Sequence, residues 1–219
     1  MRANVIEVRE LRVRLGDGEA LRGVSFTVAQ GEIYALLGGH GAGKTTLLET
    51  VAGDRRPTSG TVRVRGADPY AGRDAMRAGA VWRDGGLFPG LTVAEVVDTW
   101  RRWTLDPLTR DEALRLTGLG AVADVPFEKL GGGQRRQLDL ALALVGRSDV
   151  LFLDEPTAGL GGDDARRVWS VLRSLAAANG VTVLLTTRDV DEACRADRVG
   201  VMAEGRLPVG RHPFGVRAA

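Results

Sequence analysis

The chain has 219 residues, of which 44% are hydrophobic, and its 30 basic and 28 acidic residues leave a net charge of +2. This length and apolar content suit a packed α/β domain and exclude a disordered chain, and the near balance of charge argues against nucleic acid as a partner. The single cysteine, Cys194, excludes an internal disulfide, and no apolar run is long enough to span a membrane, so we expect a cytoplasmic protein.

Apolar strands alternate with helical segments along the chain. Strands are predicted over Val5–Arg9, Leu11–Leu15, Val24–Val28, Ile33–Leu37, Thr61–Arg65, Val150–Leu153, Val181–Thr186 and Arg198–Met202. Helices are predicted from about Lys44, over Arg135–Val145 and over Asp163–Ala178, and residues from about 70 to 147 are expected to be mainly helical. This alternation predicts an α/β fold with a mainly parallel sheet and a helical lobe inserted in the middle.

Residues 38–45 fit the P-loop pattern, in which two glycines with four residues between them precede a lysine and a threonine. Such glycines let backbone N–H groups point inward at a phosphate, and the following helix adds its positive N-terminal end. We expect Lys44, one of the chain's two lysines, to reach the β- and γ-phosphates and assist catalysis, and Thr45 to ligate Mg²⁺. The predicted phosphate-binding residues are Gly38, Gly39, His40, Gly41, Ala42, Gly43, Lys44, Thr45 and Thr46.

The buried strand Val150–Leu153 runs into two carboxylates, Asp154 and Glu155. Sites in α/β proteins form at the carboxyl edge of the sheet, where these side chains would lie. We expect Asp154 to hold Mg²⁺ through its water shell and Glu155 to accept a proton from the attacking water. Acids that merely end a strand are the alternative, but the P-loop favours a site for ATP and Mg²⁺.

Between these stretches lies the motif LGGGQ at 130–134. With it the chain resembles the nucleotide-binding subunits of ABC transporters, most of all the single-domain subunits of two-component exporters. The likeness covers nearly the whole chain, through GGHGAGKTT at 38–46, GLFPGLTV at 86–93, LGGGQ at 130–134, LFLDEPTAGL at 151–160 and VLLTT at 183–187.

The resemblance implies a P-loop NTPase core with a mainly parallel sheet, an N-terminal antiparallel β subdomain and an inserted helical subdomain. The chain would be one nucleotide-binding domain over residues 1–219. Residues 1–70 and 148–219 would form the catalytic core, and residues from about 71 to 147 the helical subdomain.

The resemblance also implies a head-to-tail dimer, either of identical or of unlike subunits. ATP would lie between the P-loop of one subunit and Gly131, Gly132, Gly133 and Gln134 of the other, at a second glycine-rich helix N-terminus. A cytoplasmic helix of a separate integral membrane subunit would dock beside residues 87–89 and hold the chain on the inner face of the cell membrane. Three tryptophans near this groove, Trp82, Trp100 and Trp103, are expected to pack inside the helical lobe, and lining the groove is the alternative.

Five positions depart from the family pattern. Leu15 stands where an aromatic residue stacks on adenine, Arg83 where a glutamine senses Mg²⁺ and water, Gly131 where a serine bonds the γ-phosphate, Gly161 where an aspartate follows the loop, and Arg188 where a histidine follows the last core strand. These losses predict a subunit that binds Mg-ATP but, as a homodimer, hydrolyses it slowly. Alternatively, Arg83 and Arg188 place positive charge at the γ-phosphate and substitute for the lost groups.

The leading functional hypothesis is an ATPase subunit that powers transport through a separate membrane subunit. The alternative is a nucleotide-gated, non-hydrolytic subunit of a heteromeric complex, in which a partner chain supplies catalysis. A P-loop protein of DNA maintenance or translation is a third hypothesis. It is disfavoured because 219 residues hold neither a long coiled-coil insertion nor a second such domain.

Overall fold

The computed structural model describes residues 3–71 and 77–208. The predicted subdomain junction near residue 71 lies at the border of the described residues, and residues 209–219 at the end of the chain lie outside them. The strands within these ranges are β1 (Asn4–Leu15), β2 (Gly18–Ala29), β3 (Ile33–Leu37), β4 (Ser59–Val64), β5 (Ala78–Val81), β6 (Val150–Asp154), β7 (Thr182–Thr187) and β8 (Arg198–Val201). The α-helices are α1 (Lys44–Ala52), α2 (Val93–Arg102), α3 (Arg110–Thr117), α4 (Gly132–Leu144), α5 (Gly162–Asn179) and α6 (Val190–Ala193). No helix in the described part of the chain is long and apolar enough to cross a membrane.

A five-stranded parallel sheet in the order β5-β6-β7-β3-β8 forms the centre of the molecule. Strands β3, β6 and β7 are buried along their whole length, which is why they read in the sequence as continuous apolar runs. Along β3, Tyr34 and Leu36 face one core while Ile33, Ala35 and Leu37 face the other. Because all five strands are parallel, the segments that follow β3, β6 and β7 meet at one edge of the sheet.

A second, antiparallel sheet has the order β2-β1-β4 and covers α1 and one face of the parallel sheet. The two predicted strands at 5–9 and 11–15 form the single strand β1, whose register shifts between Val8 and Leu11. At the shift Glu10 adopts a left-handed backbone with φ 47°, and its N–H donates to the Ser25 hydroxyl at 2.8 Å. The predicted fold class, with its parallel sheet, N-terminal antiparallel sheet and helices, is confirmed.

The stretch from about 70 to 147 was expected to be mainly helical, but its described part also contains a strand. It includes β5, which joins the parallel sheet at its edge beside β6. The following helices pack around an apolar cluster of their own that includes Val97, Leu114 and Leu138. Helix α4 begins at Gly132, three residues before the predicted start. The division of the chain into a core and a helical subdomain stays a prediction.

Candidate functional site

The loop between β3 and α1 is shaped by close backbone packing. Gly43 has φ 96°, a conformation that suits glycine, and a Cβ there would lie 2.8 Å from the carbonyl oxygen of Ala20. A Cβ on Gly38 would lie 2.5 Å from the carbonyl oxygen of Met202. The Lys44 ammonium folds over the loop and donates to the carbonyl oxygens of Gly38, at 2.7 Å, and Gly39, at 2.9 Å. The loop thus holds one buried cation at its centre.

Helix α1, which follows this loop, has no acidic residue in its first turn, so no carboxylate of the helix itself lies at its N-terminal N–H groups. Helices α2, α3, α5 and α6 each carry aspartate or glutamate in the first turn, whereas α1 and α4 carry none. Helix N-termini attract anions, so the two helices without their own carboxylates are the ones suited to an external anion. These are also the helices that follow the two predicted phosphate-binding motifs. Burial, as the main cause, lowers the pKa of Lys44, and Glu155 opposes this shift.

Three side chains meet where β6 and β7 end. The Thr45 hydroxyl lies 3.1 and 3.2 Å from the two oxygens of Asp154, and the Thr186 hydroxyl donates to Asp154 Oδ1 at 2.5 Å. Asp154 is buried. These oxygen atoms suit a hard divalent cation such as Mg²⁺. The sequence analysis did not single out Thr186, although it faces Asp154 in the parallel register of β6 and β7.

Glu155 has an uncommon backbone conformation, and two arginines lie against its carboxylate. Its φ is 46°, an uncommon conformation for a residue with a side chain, and its N–H donates to the Thr186 hydroxyl at 3.0 Å. Arg188 Nη2 donates to Glu155 Oε2 at 2.8 Å. Arg83 Nε lies 3.8 Å from the same oxygen. The Glu155 side chain is 11% exposed, and its charge is balanced by Arg83 and Arg188, which stand where the family pattern has a glutamine and a histidine.

A buried carboxylate, Glu192, links the segments that flank Glu155 and Arg188. It accepts hydrogen bonds from the hydroxyls of Thr157 and Thr187, both at 2.5 Å, and from the Trp169 indole at 3.3 Å. Thr157 follows Glu155 by two residues, and Thr187 precedes Arg188. Sequence analysis missed this residue, and the signal was weak because Glu192 reads as an ordinary acid of a short helix.

The 130–134 motif forms the start of α4. Gly131 is the N-cap, with an extended backbone at φ −67° and ψ 163°, and its N–H donates to Gln134 Oε1 at 3.1 Å. A Cβ on Gly133 would lie 2.6 Å from the Asp164 carboxyl carbon, so this position requires glycine. Within the described ranges, no hydrogen bond or ion pair joins this motif to residues 38–46.

The other predicted positions lie near these elements. Leu15 is 42% exposed at the end of β1, in the same hairpin as Ala20, which contacts the loop at Gly43. Gly161 is the N-cap of α5, and a Cβ there would meet nothing within 4 Å. His40 and Thr45 are exposed.

The tryptophans divide into two groups. Trp82 packs against the main core. Trp100 contacts Phe88 edge-on and is 39% exposed, whereas Trp103 is 81% exposed. The expectation that all three pack inside the lobe is therefore wrong for Trp82, which packs against the main core, and for Trp103, which is exposed just beyond the end of α2.

Comparisons with known proteins show the family of this chain. The sequence model described as "ABC transporter" matches residues 21–158. The chain is 41% identical over 209 residues to the Nod factor export ATP-binding protein I of Burkholderia lata, covering 92% of the chain and 68% of that protein. It is 38% identical to the same protein of Ralstonia nicotianae, over 92% of the chain and 65% of that protein. It is also 37% identical to the thiamine import ATP-binding protein ThiQ of a Ruegeria species, covering 93% of the chain and 90% of that protein.

Solved structures show the same fold. The cbiO1 structure from Clostridium perfringens, part of the transporter complex cbiONQ, has a TM-score of 0.83 at 31% identity and covers 94% of this chain and 87% of that chain. A dimeric post-hydrolysis structure of the ATP-binding cassette MJ0796, bound to ADP and Pi, has a TM-score of 0.79 at 22% identity and covers 96% of this chain and 100% of that chain. The family match, the relatives and the P-loop geometry together lead to one conclusion: this chain belongs to the ABC transporter family and is one of its ATP-binding subunits.

Proposed function

We propose that this subunit binds Mg-ATP at a dimer interface to drive transport through a separate membrane subunit, and that its own hydrolysis of ATP is slow. The observation that carries the second part is the pairing of Glu155 with Arg188 and Arg83. The first part is supported by the P-loop geometry and by the family.

The phosphates of ATP would be bound by the loop 38–46, whose centre already holds the Lys44 ammonium on backbone carbonyls. A triphosphate offers that ammonium anionic partners in place of carbonyl dipoles, so the charge of Lys44 favours binding. Thr45 and Asp154 are the residues that would hold Mg²⁺, which supplies positive charge to the phosphate oxygens. Thr186 would orient the Asp154 carboxylate.

Slow hydrolysis follows from the partners of Glu155. A general base must use a carboxylate lone pair to accept a proton from water, and here Oε2 accepts a hydrogen bond from Arg188 at 2.8 Å. Gly131 adds a second loss, because it has no hydroxyl for the γ-phosphate from the opposite subunit. Removing one preorganised donor from a transition state costs on the order of 10²–10³ in rate.

The partners follow from the resemblance and the relatives. The relatives' names describe Nod factor export, thiamine import and daunorubicin resistance, which are different cargoes served by similar ATP-binding chains. We therefore assign cargo choice to an integral membrane subunit and place this chain in the cytoplasm, on the inner face of the membrane through that subunit. The exposed Leu87 and the half-exposed Trp100 belong to the proposed docking groove.

The alternative function is a non-hydrolytic, nucleotide-gated subunit paired with an unlike catalytic chain. The same Arg–Glu155 contacts favour it, because a subunit that only binds ATP has no use for a free base. Phosphate release by the isolated subunit, compared with release by a complex purified with its membrane partner, separates the two. Release by the complex that does not change when Glu155 of this subunit is replaced by Gln favours the alternative, because the partner chain then supplies catalysis.

Two measurements test the main proposal. Calorimetry with Mg-ATP is expected to detect binding that Lys44→Ala removes, and unchanged binding in the variant would contradict the assigned cradle. Steady-state phosphate release is expected to be slow and to fall further with Glu155→Gln. Fast turnover that disappears in Glu155→Gln would show that the arginines do not restrain the base.

A further inference from the structure

A buried arginine on α4, Arg136, forms hydrogen bonds to the backbone of the segment that carries Arg83. Arg136 lies in the second turn of α4, and its side chain is 10% exposed. Its Nη1 donates to the carbonyl oxygen of Trp82 at 3.0 Å, and its Nη2 donates to the carbonyl oxygen of Arg83 at 3.1 Å. One planar guanidinium thus binds two consecutive peptide groups, which fixes both the position and the orientation of this backbone.

Asp139, one turn further along α4, holds the other end of the same segment. Its Oδ1 accepts from the N–H of Gly86 at 3.3 Å, and its Oδ2 lies 3.5 Å from Arg136 Nη1. A Cβ on Gly85 would lie 2.5 Å from Asp139 Oδ2, so the loop packs directly against this carboxylate. Burial raises the pKa of Asp139, and Arg136 opposes the shift, which fits a carboxylate enclosed between helix and loop.

These contacts connect two parts of the proposed machinery. Helix α4 begins at the 130–134 motif, and Arg136 lies only four residues beyond its first residue, Gly132. At the other end of the connection, the Arg83 side chain lies 3.8 Å from Glu155. An α-helix is rigid over this length, so a displacement of the motif moves Arg136 and the peptide groups that it binds.

We propose that Arg136 and Asp139 are positioning residues that set the distance between Arg83 and Glu155 and couple it to the position of the 130–134 motif. Occupation of that motif by the nucleotide of the partner subunit would then change the restraint on Glu155 in this subunit. The effect on the restraint of Glu155 rests on the proposed function, whereas the attachment of the segment to α4 can be measured without ATP.

The first experiment measures the attachment without ATP. Hydrogen exchange in a peptide that spans residues 82–86 is expected to be about tenfold faster in Arg136→Gln, because the segment loses two hydrogen bonds to a charged donor. Arg135→Gln is the matched control, since Arg135 is the neighbouring arginine on α4 and donates instead to the Glu128 carbonyl at 3.2 Å. Equal exchange in the wild-type protein and in Arg136→Gln would overturn the proposal.

The second experiment is a double-mutant cycle on phosphate release. Arg136→Gln and Arg83→Gln are each expected to raise the rate about twofold, and the double variant no further, because both changes act through the same contact with Glu155. Arg136→Lys, which can serve only one carbonyl well, should fall between the wild-type protein and Arg136→Gln. A merely structural Arg136 would instead lower the rate equally in both backgrounds, and that result would overturn the proposal. If calorimetry detects no binding of Mg-ATP to the wild-type protein, the proposed function is refuted, whereas the hydrogen-exchange result still stands.

Discussion

Replacement of Arg188 by histidine is expected to raise ATP hydrolysis by the isolated subunit about fivefold. The change removes the guanidinium that donates to Glu155 Oε2 at 2.8 Å and restores the residue type that the family pattern places there. Residue 188 is exposed, so the smaller imidazole fits without repacking. Oε2 is then released from the guanidinium of residue 188, so this oxygen as well as Oε1 can accept the proton of the attacking water.

The magnitude follows from the ion pair. A hydrogen bond between charged groups contributes about 1.5–3 kcal/mol when it is shielded from water. The Arg188 side chain is 43% exposed while that of Glu155 is 11% exposed, so solvent screening reduces this to ~1 kcal/mol. If the pair must break before water is deprotonated, its loss lowers the barrier by the same amount, which is about a fivefold increase in rate. Arg83, at 3.8 Å and half-exposed, keeps part of the restraint.

Steady-state phosphate release at saturating Mg-ATP measures this effect, and the increase should appear in kcat rather than in KM. Arg195→His is the control, because Arg195 is another exposed arginine near α6. In a Glu155→Gln background Arg188→His should have no effect, since the carboxylate is gone. A rate in Arg188→His that equals or falls below the wild-type rate, with ATP binding intact, would refute this account of the site.

Three further changes test other parts of the structure. Gly131→Ser should leave the melting temperature unchanged, because Gly131 is an extended N-cap and its Cβ would meet only Gln134 Oε1, at 3.9 Å. The same change should strengthen ATP-dependent dimerisation in size-exclusion chromatography, and a variant that stays monomeric would contradict the role of Gly131 in the opposite subunit's site. Gly79→Ala should lower the free energy of unfolding by about 2 kcal/mol in urea, since its Cβ would lie 2.2 Å from a carbonyl oxygen of α4, whereas Gly120→Ala, with open space, should not. Because burial lowers the pKa of Lys44, the ammonium loses its charge at a lower pH than a free lysine does. The affinity for Mg-ATP should therefore already fall as the pH rises toward the ordinary lysine pKa of 10.5, and constant affinity in calorimetry up to that pH would refute this.

Sequence periodicity predicted most of the parallel sheet because its central strands are buried on both faces. Ile33–Leu37 was predicted with the bounds that the structure shows, and the strand from Val150 ends one residue later than predicted. Strand β5 was missed because Ala78-Gly79-Ala80-Val81 has no alternation of apolar and polar residues and only one β-branched residue, Val81. Its small residues reflect packing against α4, since Gly79 lies under the backbone of Ala143, and such a close approach leaves no periodic signal.

The sequence predicted residues that the structure brings together, such as Thr45 and Asp154, but not the ion pairs among them. Motif spacing indicated Lys44, Thr45, Asp154 and Glu155, because those residue types occur at fixed distances from glycines and strand ends. The partner of Arg188 was not predictable, because a guanidinium pairs with phosphates as well as with carboxylates, and only the packing of β6 beside β7 brings Arg188 to Glu155.

The hydrogen bonds of Glu192 have a consequence for how such a protein changes over generations. Because the hydroxyls of Thr157 and Thr187 donate to the same carboxylate, the segment after Glu155 and the segment before Arg188 keep their spacing whatever side chain stands at position 188. A substitution at position 188 can then change the contacts of Glu155 without rebuilding this frame.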